Sequence, residues 1–293
     1  MAEANQDMWS QWLLQRRFGG DPKRLQLVMG FLYPIRDKVL EHAALGEHKV
    51  LLDVGCGDGL IAFGALEKVP TSQVIFSDIS PELLKHAEEA VREMGVHSRC
   101  QFLQAAADNL SEVPSAAVDV VTTRSVLIYV ADKQQAFTEF YRVLKPQGRL
   151  SIFEPINRFG QPEPSHQFWG YDVAPVKETA DKIKELYRRL QPLETDPMMN
   201  FDERDLLAFA EQAGFRDIHL ELQVQVKPPN EHSGWEAMLL TAGNPKIPTL
   251  EEAMNQVLTP NEREAFISHL RPLVEAKQGV RRMALTYLWA TKQ

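Results

Sequence analysis

The chain has 293 residues, 44% hydrophobic and 25% charged, a size that suits one large domain or a domain with a cap. Its formal net charge of −8 excludes a general electrostatic attraction to nucleic acid, and two cysteines exclude a disulfide framework or a cysteine-based zinc site. No apolar run approaches the ~20 residues of a membrane span, and Met1–Asp7 lacks the apolar core of a signal peptide. We therefore expect a cytoplasmic protein with no membrane or nucleic-acid partner and no metal.

Two helices are predicted ahead of the first strand. The first contains Trp9 and Trp12 at helical spacing and ends near Gly19-Gly20, and the second starts at Asp21-Pro22. The apolar face of the second helix carries Leu25, Val28, Phe31, Leu32, Ile35 and Val39. This pattern is typical of helices that pack on a sheet, and a lid over a site is the alternative.

Residues 50–59, Val-Leu-Leu-Asp-Val-Gly-Cys-Gly-Asp-Gly, are the most informative segment. An apolar strand pattern breaks into glycines at 55, 57 and 59, and an amphipathic helix pattern follows. Strand, glycine turn and helix form the nucleotide-binding corner of a doubly wound sheet, where glycine lets the backbone approach a ligand. The glycine spacing departs from the dinucleotide fingerprint, and Asp58 would repel a phosphate. A cationic ligand without phosphates is favoured, and S-adenosylmethionine fits that description.

A second short strand is predicted to end in Ser77-Asp78-Ile79-Ser80-Pro81. Asp78 lies 19 residues after Gly59, close to the separation at which an acidic residue meets ribose hydroxyls in nucleotide-binding folds. Ser80 is a predicted N-cap, with Pro81 at the first helical position. The segment therefore predicts a ribose-binding carboxylate at the start of a helix.

Strands and helices keep alternating further along the chain. Strands are predicted at 100–104, 118–122 and 149–153, with a helix beginning at an Asp132 N-cap. This order indicates a parallel sheet with helices on both faces. Two more strands are predicted at 218–227, which alternates between apolar and polar residues, and at 284–291.

Three motifs, in this order, resemble those of the class I S-adenosylmethionine-dependent methyltransferases: Leu-Asp-Val-Gly-Cys-Gly-Asp-Gly (52–59), Ser-Asp-Ile-Ser (77–80) and Arg-Val-Leu-Lys-Pro-Gln-Gly-Arg-Leu (142–150). The resemblance covers roughly 48–155 and returns at 201–227 and 281–293. It implies an α/β fold with a doubly wound, mostly parallel seven-stranded sheet of Rossmann-like type. The last strand would run antiparallel between the fifth and the sixth.

The lengths of the connections predict the domain organisation. We expect a helical N-terminal lid (1–47), a cofactor-binding core (48–155), an inserted cap (156–200) and a C-terminal part of the core (201–293) with a helical insert at 228–282. Long inserts in a compact sheet are often functional caps. Both inserts are predicted to join the lid, although the second is expected to start near the opposite sheet edge. A dimer interface is the alternative for 228–282.

The resemblance implies a cofactor site for S-adenosyl-L-methionine, with S-adenosyl-L-homocysteine as the product. Asp53 would act on the methionine end, Asp78 on the ribose hydroxyls and Ile79 on adenine. Ala106 stands where the family usually has an aspartate, and Asp108 or Asn109 could replace it. Arg124 could hold the cofactor carboxylate, an acidic group of the acceptor, or a surface ion pair. The predicted cofactor residues are Asp53, Gly55, Cys56, Gly57, Asp78, Ile79, Ala107, Asp108, Asn109, Arg124 and Ser125.

Catalytic and acceptor residues are sought at the carboxyl ends of the strands, where open α/β sheets bind their ligands. Glu154 and His166 are the candidates for a general base, which is useful when the acceptor is a hydroxyl or a cationic amine. The candidates for acceptor binding are Phe18, Tyr33, Tyr129, Asn157, Arg158, Trp169, Tyr171 and Trp235, and Trp9 and Trp12 could join them in the lid.

Methyl transfer to a small molecule by in-line displacement is the leading functional hypothesis, because two inserts can enclose an acceptor. A protein or RNA methyltransferase, which needs an open cleft, is the first alternative. A non-catalytic S-adenosylmethionine-binding protein is the second, and the Ala106 departure permits it. A nicotinamide oxidoreductase is disfavoured by the glycine spacing. A homodimer is compatible with each of these.

Overall fold

The computed structural model describes residues 7–13, 22–229 and 234–293, with the backbone alone for 22–28. Phe18 and the Gly19-Gly20 end of the first predicted helix lie outside the described residues. The strands are β1 Val50–Val54, β2 Gln73–Asp78, β3 Cys100–Gln104, β4 Val118–Arg124, β5 Leu144–Pro155, β6 Gln167–Phe168, β7 Tyr171–Asp172, β8 Arg216–Lys227 and β9 Arg281–Thr291. The helices are α1 Met8–Gln11, α2 Pro22–Ala43, α3 Leu60–Lys68, α4 Pro81–Glu93, α5 Lys133–Val143, α6 Lys177–Leu190, α7 Glu203–Ala213, α8 Trp235–Leu240, α9 Leu250–Val257 and α10 Pro260–Glu275.

Seven strands form one sheet in the order β3-β2-β1-β4-β5-β9-β8. The first five strands pair in parallel, and β9 pairs antiparallel with both β5 and β8. The predicted doubly wound sheet is therefore confirmed, including the antiparallel strand between the fifth and the last position. Among the described residues, no helix is long and apolar enough to cross a membrane.

Helices cover both faces of the sheet. Helices α2, α3 and α4 pack on one face around Val39, Ile61 and Phe76, and α5 and α7 pack on the other around Phe137 and Phe140. The predicted N-caps are confirmed: Ser80 accepts from Leu83 N at 3.1 Å, and Asp132 accepts from Gln135 N at 2.9 Å. The helices thus begin where side-chain acceptors satisfy otherwise unpaired N–H groups.

The two inserts form a third apolar cluster. Helices α6, α8, α9 and α10 pack around Phe168, Trp235, Met254 and Phe266. We call residues 167–190 and 235–275 the cap. The chain therefore buries the apolar faces of both inserts against each other rather than against the sheet.

The expected starting edge of the second insert was wrong. Strand β8 runs in the same direction as β5, because both pair antiparallel with β9. Lys227 at the end of β8 faces Arg281, and Pro155 at the end of β5 faces Leu285. Both inserts therefore leave the sheet at the carboxyl edge of the parallel strands, and the second does not need to wrap back.

Candidate functional site

The glycine loop after β1 is shaped by two close approaches. Gly55 has a φ of +65°, and a Cβ there would lie 2.4 Å from a Val126 methyl group. Gly57 has a φ of +54°, and its Cβ would lie 3.3 Å from Leu13 of the N-terminal segment. A side chain at either position would therefore close the space between the loop and its neighbours.

Asp78 ends β2 beside this loop. One carboxylate oxygen accepts from Gly57 N at 2.8 Å and the other from Ser80 N at 2.9 Å. Burial raises the pKa of Asp78, the two backbone N–H groups oppose that shift, and the Asp7 carboxylate adds to it. A carboxylate offers about four lone-pair sites, so both oxygens can still accept from a ligand.

The first cavity, which we call cavity A, has a volume of about 230 Å³ and lies against the glycine loop. Cavity A lies between the ends of β1, β2 and β4, the loop after β3, and residues 7–13, which we call the N-terminal segment. Its walls are Trp9, Trp12, Leu13, Gly55, Gly57, Asp78, Ile79, Leu83, Ala105, Ala106, Ala107, Asp108, Arg124, Ser125, Val126, Tyr129, Val130 and Ala131.

Polar contacts attach α1 to the N-terminus of α4. Asp7 caps α1 by accepting from Trp9 N and Ser10 N, both at 2.9 Å, and it also accepts from the Ser80 hydroxyl. The Ser10 hydroxyl in turn donates to the Glu82 carboxylate. The start of α1 is therefore held at the N-terminus of α4.

Two tryptophans of the N-terminal segment extend from α1 towards the cap. The Trp9 ring contacts the Tyr129 ring edge to face, with the ring centroids 4.9 Å apart. Trp12 Nε1 donates to Ala242 O at 3.1 Å, which links α1 to the segment after α8. The N-terminal segment therefore spans the cavity from α4 to the cap.

The second cavity, which we call cavity B, has a volume of about 320 Å³ and lies beside the first. It is enclosed by α2, the end of β5, the loop after β5 and the start of β9. Its walls are Phe31, Leu32, Ile35, Arg124, Ser125, Phe153, Pro155, Ile156, Asn157, Gly160, Arg281, Arg282, Met283, Ala284 and Leu285. Arg124 and Ser125, at the end of β4, belong to both cavities.

Eight of the eleven predicted cofactor residues line cavity A, and three do not. The eight are Gly55, Gly57, Asp78, Ile79, Ala107, Asp108, Arg124 and Ser125. Asp53 lies beneath the loop, where it accepts from Thr122 Oγ1 at 2.9 Å and from Ala62 N at 3.2 Å. Burial raises the pKa of Asp53 to about 7. This carboxylate ties β1 to β4 and α3 instead of facing the cavity.

Cys56 and Asn109 are likewise outside the walls of cavity A. The Cys56 side chain is buried in the core beneath α3, and burial raises the pKa of its thiol well above the usual range. Asn109 is exposed and its side chain accepts from Ser111 N at 3.4 Å. Of the two candidates to replace the family's missing aspartate, the structure brings Asp108 to the cavity.

The two predicted bases do not reach either cavity. Glu154 is 0% exposed, and its Oε1 accepts from Val126 N and Leu127 N at 2.9 Å while Oε2 accepts from Ile128 N at 3.3 Å. Burial raises the pKa of Glu154 to about 7. His166 is an exposed loop residue. Glu154 therefore shapes the loop after β4, and neither residue is placed to act as a base on a ligand of cavity A or cavity B.

Two of the predicted acceptor residues line a cavity: Tyr129 in cavity A and Asn157 in cavity B. Tyr171 and Trp235 are instead buried within the cap, because the inserts use them as core. Trp169 stacks on Phe168 at 4.9 Å on the exposed side of the cap.

Two further predicted acceptor residues lie at the surface. The Tyr33 ring lies under the Arg36 guanidinium at 4.6 Å. Arg158 is exposed, with Glu194 at 3.5 Å. Neither lines cavity A or cavity B.

The start of β9 was missed as part of the site. Arg281, Arg282 and Met283 line cavity B, whereas the sequence placed the strand only from Ala284 onwards. Two adjacent arginines ahead of an otherwise apolar strand were the available signal. Without the knowledge that β9 begins at the carboxyl edge, that signal did not point to a site.

Comparisons with known proteins agree with this geometry. Residues 52–152 match the family description of a methyltransferase domain. The ubiquinone/menaquinone biosynthesis C-methyltransferase UbiE of Cronobacter sakazakii is 29% identical over 182 residues, which span 59% of this chain and 68% of that protein. The tRNA 5-carboxymethoxyuridine methyltransferase of Escherichia coli K12 is 33% identical over 128 residues, 43% of this chain and 48% of that enzyme.

A solved structure shows the same fold over nearly the whole chain. The phosphoethanolamine N-methyltransferase 2 of Haemonchus contortus, in complex with S-adenosyl-L-methionine, has a TM-score of 0.51 at 18% identity and covers 97% of this chain and 56% of that one. Residues 52–152 are therefore a methyltransferase domain, and S-adenosyl-L-methionine is the cofactor of this enzyme.

Proposed function

We propose that this methyltransferase transfers the methyl group to a small-molecule acceptor held in cavity B. The observation that carries the proposal is the junction of the two cavities at Arg124 and Ser125. S-adenosylmethionine supplies a methyl group on a good leaving group, so alignment of the acceptor with that methyl can provide much of the rate. Two cavities that meet at the end of one strand are suited to this alignment.

The walls of cavity A fit the cofactor. Asp78 can accept from the ribose hydroxyls with the lone pairs that Gly57 N and Ser80 N leave unused. Ile79 and Leu83 offer apolar surface for the adenine. Among the described residues of these walls, Arg124 is the one cation, which suits a ligand that has a carboxylate and no phosphates.

The cover over cavity A gives the site a means to exclude water. Trp9 and Trp12 lie against Tyr129, and Trp12 is bonded to the segment after α8. Exclusion of water strengthens the electrostatic interactions that hold a charged donor and prevents side reactions. We infer that the N-terminal segment and the cap act together as a lid.

A nucleic-acid acceptor is the second candidate, because one relative is named as a tRNA methyltransferase. We rank it second because cavity B is small, at about 320 Å³, and the chain has a net charge of −8. Binding of unmodified tRNA with an affinity that falls steeply with salt would reverse this order. The cytoplasmic location stays a prediction.

The test of the proposal has two stages. Isothermal titration should show binding of S-adenosylmethionine and S-adenosylhomocysteine, and absence of binding by both would overturn the assignment of cavity A. A small-metabolite extract should then yield a methylated product with labelled cofactor. Labelling of tRNA or protein fractions alone would overturn the small-molecule acceptor.

A further inference from the structure

Cavity B concentrates positive charge in a chain that is acidic as a whole. Arg124, Arg281 and Arg282 contribute to its walls, and no aspartate, glutamate or histidine does among the described residues. The formal net charge of the whole chain is −8. Three cations without an anion among the wall residues are therefore a local feature of this cavity, and Arg281 and Arg282 are exposed residues.

These guanidinium groups have few partners in the protein. The Arg124 side chain is 9% exposed and forms an ion pair with the Asp58 carboxylate at 3.7 Å, a distance too long for a hydrogen bond. The Arg282 guanidinium donates to Gln167 Oε1 at 3.4 Å, and the Arg281 side chain makes no hydrogen bond or ion pair with any described residue. A guanidinium carries five N–H donors, so these side chains keep donors that the described protein groups do not use.

The remaining walls are largely apolar. They include Phe31, Leu32 and Ile35 of α2 and Phe153, Ile156 and Met283 near the sheet edge. An apolar surface beside several guanidinium groups suits a molecule with an apolar body and an anionic group. Carboxylate and phosphate oxygens match the planar fork of arginine donors.

The backbone ahead of the two arginines is fixed by the cap. Val280 N donates to Gly170 O at 2.9 Å, and a Cβ on Gly170 would lie 2.1 Å from Val280 O. A Cβ on Gly279 would lie 2.7 Å from the Tyr171 ring. The cap and the start of β9 therefore approach too closely for side chains at these glycines, which holds Arg281 and Arg282 at the cavity.

We propose that cavity B recognises an acceptor that carries a carboxylate or a phosphate on an apolar body, with Arg281 and Arg282 as specificity-determining residues. This inference rests on the proposed function, because it assigns cavity B to the acceptor. Arg124 also lines cavity A, so the two arginines of β9 carry the discrimination between acceptors.

Four probes with six carbons each and different head groups test the inference: hexanoate, hexyl phosphate, hexanol and hexylamine. Each is titrated calorimetrically into the full chain saturated with S-adenosylhomocysteine. The two anions should bind at least about tenfold more tightly than hexanol and hexylamine, as charge-assisted hydrogen bonds predict. The stronger of the two anions identifies the head group that the cavity prefers.

Substitutions in β9 test whether the anionic probes bind at Arg281 and Arg282. Arg281→Gln and Arg282→Gln should each weaken hexanoate or hexyl phosphate binding about fivefold or more, and Arg281→Lys should retain part of it. Arg189→Gln, at an exposed position on α6 outside both cavities, makes the same charge change and should stay within twofold of the parent.

Binding of S-adenosylhomocysteine separates the two claims. Equal affinity for hexanol and hexanoate, or unchanged anion binding in both glutamine variants, overturns the anionic subsite while cofactor binding leaves the proposed function intact. Absence of S-adenosylhomocysteine binding by the parent overturns the proposed function itself. Unchanged cofactor affinity in the variants confirms that they fold and that the loss belongs to cavity B.

Discussion

Cavity A and cavity B are neighbours with different origins in the chain. Most of cavity A comes from the short segments that follow β1, β2, β3 and β4, and each segment is continuous with a strand end. Cavity B joins the middle of α2, the end of β5 and the start of β9, which lie more than a hundred residues apart in sequence.

The two cavities also differ in charge and in the groups that they present. The carboxylates of Asp78 and Asp108 line cavity A beside the loop glycines, whereas the arginines of β9 line cavity B beside apolar side chains. A cofactor shared by a whole class can be bound by local motifs. An acceptor particular to one enzyme is bound by walls that the topology brings together.

The largest effect is expected where the cavities share a wall. Glu154→Ala would leave the buried N–H groups of Leu127 and Ile128 and the part-buried N–H of Val126 without their acceptor. Each unsatisfied buried group costs about 1–3 kcal/mol, so the free energy of unfolding should fall by roughly 3 kcal/mol or more. Urea denaturation measures this loss, and binding at both cavities should weaken together.

Glu154→Gln is the matched control, because its amide oxygen can still accept from Val126 N and Leu127 N. It should lose less than half as much stability as Glu154→Ala. If the two variants unfold at the same urea concentration, the carboxylate does not hold the shared loop in place.

Glu154 should also make the free energy of unfolding depend on pH, with an effect of similar or smaller size. Burial raises the pKa of Glu154 from 4.5 to about 7, so the folded state keeps a proton that the unfolded state releases. Stability from this group is fully present below pH 4.5 and is lost as the pH rises to about 7. The difference between these two pKa values corresponds to at most about 3 kcal/mol in the free energy of unfolding.

The comparison with Glu154→Gln isolates this contribution. Asp53 has a raised pKa and His42 a lowered one, and both titrate in the folded and unfolded states of either protein. The difference in unfolding free energy between parent and variant should therefore change between pH 5 and 7.5 and stay constant above. A constant difference across that range contradicts the raised pKa.

Removal of the Asp78 carboxylate should weaken binding in cavity A and leave binding in cavity B unchanged. Asp78→Ala is expected to weaken S-adenosylhomocysteine binding more than tenfold, since loss of charge-assisted contacts to two hydroxyls costs ~1.5–3 kcal/mol. Hexanoate binding to cavity B should stay within a factor of two. Calorimetric titration measures both affinities.

Asp78→Asn serves as the control, because it keeps one acceptor for Gly57 N or Ser80 N and removes the charge. Its cofactor affinity should fall between those of the parent and the alanine variant. Cofactor binding by Asp78→Ala within a factor of two of the parent would mean that the assignment of β2 to the ribose is wrong.

Cavity A, which is formed by local segments, could be predicted from the sequence better than cavity B, which joins distant ones. Asp78, Ile79 and the loop glycines were predicted because their function depends on strand-end motifs and glycine conformations that local sequence encodes. Glu154 was misassigned because its position at a strand end suggested catalysis, whereas its hydrogen bonds to the loop after β4 depend on tertiary contacts. Arg281 became visible as a site residue only through the direction of β9.

The smallest effect is expected at the link between α1 and the cap. Trp12→Phe removes the Nε1 bond to Ala242 O and keeps an aromatic ring beside Tyr129. A net hydrogen bond contributes about 0.5–1.5 kcal/mol, so cofactor affinity should fall by about two- to tenfold. Trp9→Phe is the matched comparison, because Trp9 contacts the same tyrosine without a hydrogen bond to the cap, and it should weaken cofactor binding less than Trp12→Phe does.

Hydrogen exchange tests whether this link belongs to a common lid. In the parent, S-adenosylhomocysteine should protect the backbone of α1 and of residues 235–275 together, because Trp12 couples them. In Trp12→Phe, protection of α1 should remain while protection of the second insert declines, since opening of the cap then no longer requires release of α1. Protection confined to 156–200, accompanied by a dimer in solution, would instead assign the second insert to an interface between copies of the chain.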